Sequence, residues 1–98
     1  MEIYELYPEA ERDLETIWEY SVEHWGTQQA LDYLDELNKA FSLLAHSPQI
    51  TRERTEFNPA VRIFPHAHHL IVYVISGTRI EIVRILHGSM DIESQLVP

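Results

Sequence analysis

The sequence predicts an α+β domain in the order β-α-α-β-β-β, an N-terminal strand followed by an antiparallel helical hairpin packed on one face of a mainly antiparallel sheet. Two observations carry this. Residues 8–46 place apolar side chains at three- and four-residue spacing, and residues 61–86 place β-branched ones in short runs divided by turn residues. A third bounds it: 98 residues without cysteine make a single domain, 1–98, whose core forms by packing alone.

Glu2 to Leu6 alternates as a short strand, with Ile3 set against Glu2, Tyr4 and Leu6. Pro8 then stands where a first helical residue belongs, and Glu9, Glu11 and Asp13 favour the positive end of a helix. Ala10, Leu14, Ile17, Trp18 and Trp25 share one helical face, and Gly26 stops the helix. Thr27 is the expected N-cap of a second helix, without a capping box because Ala30 follows three residues later. Ala30, Leu34, Leu37, Phe41 and Leu44 form its stripe, which ends at His46, Ser47 and Pro48. So tight a junction leaves the two helices antiparallel.

Residues 47–60 mix charges and turn residues with no sustained period, as an ordered surface loop does. Val61 to Pro65 is a short strand, His66 to His68 a turn, and His69 to Ile75 an apolar strand. Ser76, Gly77 and Thr78 turn the chain into Arg79 to Leu86. In that last strand Ile80, Ile82 and Leu86 are expected on one face, with Glu81, Val83 and Ile85 on the other. Arg84 interrupts the apolar side and needs either a partner, such as Glu81 or Asp91, or an opening to solvent. The tail from Asp91 to Pro98 is too short and mixed to assign.

Charge divides the chain. Residues 1–46 hold 11 acids against Arg12 and Lys39, whereas residues 47–98 balance five acids with five arginines. The acidic half repels a phosphate backbone, and the second half has no surplus of cations, so direct sequence-specific nucleic-acid binding is not expected. The N-terminus has neither the basic region nor the apolar run of a signal peptide, and no apolar stretch reaches membrane-spanning length. A cytoplasmic protein is expected.

Several residues carry a more particular pattern: Tyr7, Pro8, Ala10 and the Asp13-Leu14 pair, then Trp25-Gly26, Ala30, Tyr33 and Leu37. Leu44, Ala45, Pro48, Arg52, Arg54, Arg62, Val72-Tyr73, Arg84 to His87 and Asp91 continue it. In this order and spacing they resemble the ParE branch of the RelE/ParE toxin superfamily of bacterial toxin-antitoxin systems. The resemblance implies a ParD-like protein antitoxin that wraps a segment over the toxin, a hetero-oligomer formed with it, and no cofactor. ParE-like toxins act on DNA gyrase, stalling it on cleaved DNA by stoichiometric binding. RelE-like relatives instead cut messenger RNA on the ribosome, and the fold alone does not choose between them.

Each reading makes its own demands. An mRNA interferase needs an acid, a base and cations around the scissile phosphate, for which Arg62, Arg84 and His87 on adjacent strands are the candidates. Against it, His87 also simply ends a strand, and the following Gly88 stands near where several RNA-cutting relatives carry an aromatic residue. A third reading is a non-toxic module retained as the antitoxin's partner. The His66, His68 and His69 cluster has too few ligands nearby for a metal site. Trp18 and Trp25 are either core or anchors for a partner segment, and Arg52, Arg54 and Arg62 are the expected landing points for an acidic antitoxin tail. Glu9, Glu11, Glu15, Glu19 and Glu23 read as a solvated face.

Overall fold

Strand β1 (Tyr4–Leu6) leads directly into helix α1 (Pro8–Trp25), and Gly26 alone separates it from α2 (Thr27–His46) in a computed structural model that describes residues 4–90 and 92–96. Strands β2 (Arg62–His66), β3 (His69–Ser76) and β4 (Arg79–His87) follow, then a short helix α3 (Ile92–Leu96) in the tail that the sequence left unassigned. Glu2, Ile3 and Asp91 lie outside the described residues.

Gly26 explains the abrupt reversal between the helices. At φ 88° it occupies left-handed space open to glycine, closes α1 through its N–H to the Val22 carbonyl, and is itself the N-cap of α2. Thr27 is therefore the first residue of α2 and not its cap. The hairpin turn between β3 and β4 is likewise tighter than expected: Ser76 and Arg79 pair, leaving Gly77, at φ 64°, and Thr78 to make the reversal.

The sheet runs β1-β4-β3-β2, with β1 parallel to β4 and the other pairs antiparallel. The helical hairpin covers one face, where Leu37, Phe41 and Ala10 meet Ile71, Tyr73, Ile80, Ile82 and Ile85. The opposite face carries a second cluster of Val61, Ile63, Val72 and Leu86, over which Phe57 of the loop and Ile92 and Leu96 of α3 pack. Side chains such as Phe41 and Leu37, wholly removed from water, each contribute about 1.5–3 kcal/mol of transfer free energy.

Leu86 was expected beside Ile80 and Ile82; the structure puts Ile85 there instead. The cause is a β-bulge. Tyr73 pairs with Ile82 and Val72 with Arg84, so Val83 is an extra residue and the alternation slips by one. Ile80 and Ile82 before the bulge and Ile85 after it all face the helices, while Val83 and Leu86 join the opposite cluster.

The bulge also settles Arg84. Its guanidinium reaches Asp13 in α1, with Nε to Oδ2 at 2.8 Å and Nη2 to Oδ1 at 3.0 Å, and the Ile85 N–H donates to the same Oδ2 at 2.9 Å. Asp13 thus accepts three hydrogen bonds at the bulge and ties the first helix to the central strand. The expected partner Glu81 instead accepts from Tyr7 and pairs with Arg79, and Asp91 lies outside the described residues. The Arg84 guanidinium is held charged by its hydrogen bond to Asp13, which outweighs the opposing effect of partial burial.

Beyond the sheet edge, the loop at 47–60 is held by named bonds. Tyr73 Oη donates to the Pro48 carbonyl at 2.8 Å, so the 3.0 Å contact with Thr51 is made by the threonine hydroxyl donating to Tyr73. Arg62 donates to the Thr51 carbonyl, and Arg54 and Val61 exchange backbone bonds at 2.7 and 3.3 Å.

Asp13→Ala strands both the Arg84 guanidinium and the Ile85 N–H, and should lower unfolding free energy by about 2–3 kcal/mol. Arg84→Met leaves Asp13 still bonded to the Ile85 N–H and should cost less. Urea unfolding of the two variants checks this order; equal losses would mean that the backbone bond contributes nothing.

Candidate functional site

Arg62, Arg84 and His87 do not come together. Strand β3 lies between β2 and β4, so Arg62 and Arg84 are not on adjacent strands. His87 pairs through His69 with His66, four positions along β2 from Arg62. At about 4.8 Å per strand and 3.3 Å per residue this sets the Arg62 and His87 backbones roughly 16 Å apart. Each is also engaged locally. Arg84 is paired with Asp13, Arg62 holds the Thr51 carbonyl, and His87 Nδ1 meets Ser89 Oγ at 2.7 Å and accepts the Ser89 N–H at 3.2 Å.

The loop arginines differ in availability. Arg54 pairs with Glu56 at 2.7 Å, a hydrogen bond that draws the Glu56 carboxyl below its usual range, and stands over the Phe57 ring at 5.6 Å. Arg62 is half-buried and committed to the loop backbone. Arg52 is exposed and makes no ion pair among the described residues. It is the arginine of the three free to meet a partner.

Trp18 and Trp25 line different concavities. Trp18, half-buried, forms with Leu14 and Leu34 the apolar floor of an open groove of about 340 Å³ between the helices, rimmed by Glu15 and Glu19. Trp25 stands at the hairpin end, 37% exposed, among Tyr20, Tyr33 and His68. Neither tryptophan belongs to the buried core.

Around Tyr33 the structure assembles a group that the sequence showed only as histidines at 66, 68 and 69 and a tyrosine within the second helix. His66, His68 and His69 all lie 5.6–6.4 Å from the Tyr33 ring, and His69 meets His87 edge to face at 5.6 Å. His69 is buried, and its Nδ1 lies 2.6 Å from the Tyr33 hydroxyl. Burial, aided by the neighbouring His87, His68 and His66, holds His69 neutral and pushes its pKa down to about 4. With its proton on Nε2 the neutral imidazole accepts at Nδ1 from the Tyr33 hydroxyl; burial foremost raises the Tyr33 pKa, a hydrogen bond from the His68 backbone opposes this, and Glu36 adds to the rise. Among the described residues no three His, Asp or Glu side chains are grouped to hold a metal ion. The turn at Ala67 and His68 separates the imidazoles among aromatic neighbours.

Comparison with known proteins is decisive on the family. Residues 4–92 match the family described as the ParE toxin of type II toxin-antitoxin systems, parDE. The chain belongs to the ParE toxin family. It is 34% identical to Toxin ParE1 of Caulobacter vibrioides over 98% of this chain and 99% of that one. Toxin ParE1 of Mycobacterium tuberculosis is 37% identical over 95% of this chain and 96% of its own, and Toxin ParE of Escherichia coli 32% over 98% and 94%. A solved structure titled as the chromosomal ParDE TA system from P. aeruginosa shares the fold of this ParE toxin with a TM-score of 0.75, at 21% identity, covering 89% of this chain and 96% of that one.

The buried neutral His69 makes a pH prediction. Its folded pKa, about 4, lies below the ordinary 6.5, so on acidification the unfolded chain takes up the proton first. The stability that neutral His69 contributes is full above pH 6.5 and is lost as pH falls through the window from about 6.5 to about 4. Urea midpoints at pH 7.5 and 5 should separate more in the parent protein than in His69→Gln; equal separation would mean that His69 titrates normally in the fold.

Proposed function

We propose that this ParE-family toxin acts by stoichiometric binding to DNA gyrase in the cytoplasm, stalling the enzyme on cleaved DNA, and that a ParD-like antitoxin neutralises it as a hetero-oligomer. The observation that carries this reading is similarity along nearly the whole chain, 95–98% of it, to proteins named as ParE toxins. The separation of Arg62, Arg84 and His87, each engaged elsewhere, supports binding over RNA cleavage. No helix is long and apolar enough to cross a membrane among the described residues, which is compatible with a cytoplasmic target.

For the antitoxin, the floor of Leu14, Trp18 and Leu34 offers an apolar seat for a helical segment. Arg52 then takes an acidic group of its tail, while Arg54 and Arg62 order the loop that presents it. Trp25 is a second anchor.

Incubation of the purified protein with gyrase, ATP and supercoiled plasmid should leave linear DNA after detergent and protease treatment. Intact plasmid, from protein that arrests growth when expressed, would overturn the gyrase reading. For the antitoxin, Arg52→Glu should raise the Kd of the toxin-antitoxin complex by about three- to tenfold, with a steeper salt dependence lost. An unchanged Kd by titration calorimetry removes Arg52 from the interface.

A further inference from the structure

The hairpin end around Trp25 has a chemistry that the apolar groove lacks. Two open concavities, of about 760 and 310 Å³, share the walls Trp25, Gln29, Tyr33 and Glu36; Asp32 adds to the first and His68 to the second. The indole is 37% exposed yet held on three sides, by Tyr20 at 6.0 Å, Tyr33 at 6.1 Å and His68 at 5.9 Å between ring centres. It is a fixed aromatic platform facing solvent. Asp32 and Glu36 stand one helical turn apart on α2 beside it, and neither has a cationic partner among the described residues. Asp32 accepts only from Gln28 Nε2 at 3.1 Å, and the nearby Lys39 is turned to Asp35 at 3.2 Å. No lysine or arginine lines either concavity.

An exposed indole with unpaired carboxylates at its rim is complementary to one kind of side chain. A guanidinium stacks flat on an indole and donates in its own plane to a carboxylate at the same time, which an ammonium does less well. We propose that this cleft is a receptor for an arginine of the antitoxin, which lies on Trp25 and pairs with Glu36. The charge balance of the chain fits: residues 1–46, which supply the cleft's platform and carboxylates, carry 11 acids against two bases. The assignment of the donor rests on the antitoxin reading given above; the cleft itself does not.

The probe is a blocked tripeptide, acetyl-Gly-Arg-Gly-amide, titrated into the intact chain while the two tryptophan indole N–H signals are followed by NMR. Its citrulline counterpart has nearly the same shape without the charge. The arginine peptide should shift the Trp25 signal saturably and leave Trp18 in place, and the citrulline peptide should do neither. Glu36→Gln and Trp25→Leu should each raise the peptide's Kd by about two- to fivefold. Equal shifts from both peptides, movement of Trp18 instead, or an unchanged Kd in Glu36→Gln would overturn the cleft. Glu36→Gln alters an exposed residue, so the test survives even if Trp25→Leu fails to fold. A peptide that binds as expected, together with an antitoxin that binds Trp25→Leu as tightly as the parent, would overturn the antitoxin as donor and leave the arginine cleft standing. Loss of gyrase poisoning as a property of the chain would touch neither.

Discussion

The tie between Asp13 and the β4 bulge is the constraint on which the rest of this fold depends. The helical hairpin lies on the sheet through apolar side chains, and such contact is non-directional: it fixes that the layers meet, not the register at which they do. Asp13 removes that freedom, since a carboxylate accepting from Arg84 Nε, Arg84 Nη2 and the Ile85 N–H has one position along β4. With α1 placed, α2 follows, because Gly26 leaves only one residue for the reversal. Tyr33 is then delivered to the end of the sheet, where it meets His69.

That placement has a cost and a use. The bulge leaves Val83 without a partner residue on β3, a local loss of pairing in the central strand. In exchange the Ile85 N–H meets the Asp13 carboxylate that Arg84 also binds, and the apolar alternation shifts, so that Ile85 completes the helix-facing core while Leu86 seals the face under Phe57 and α3. A regular strand would exchange those two side chains between the layers.

How far the sequence foretells this depends on polar contrast. Both helices were legible because charged residues mark their outer faces, and the turns because Gly26 and Gly77 sit at their corners. The bulge was not, since Ile82, Val83, Ile85 and Leu86 are all apolar and β-branched or nearly so; a phase slip among like residues leaves no trace in the pattern. Strand order was hidden in part. Pairing of the short β1 parallel to β4 is not encoded by periodicity along the chain, whereas the separation of Arg84 from Arg62 by β3 follows from the two hairpins themselves, which the expected adjacency of the arginines overlooked. The partner of Arg84 was missed for a related reason: Asp13 lies 71 residues away and reads locally as a favourable charge in a first helical turn. At the hairpin end the HAHH run drew attention to histidines as ligands, whereas their aromatic packing on Tyr33 is a tertiary fact.

The uneven charge of the chain has a structural meaning once the layers are known. The acids of residues 1–46 lie largely on the helical hairpin, which is one whole layer of the molecule, and the balanced residues 47–98 build the sheet and loop. A partner that covers both layers therefore meets two different fields, an acidic one over the helices and a charge-balanced one over the loop, where Arg52 stands exposed beside Glu53 with no ion pair among the described residues. Such a surface discriminates by sign. A uniformly acidic segment is attracted at Arg52 and repelled at the hairpin, and a uniformly basic one the reverse, so the segment that fits is itself divided, with its cations toward α1 and α2 and its anions toward Arg52.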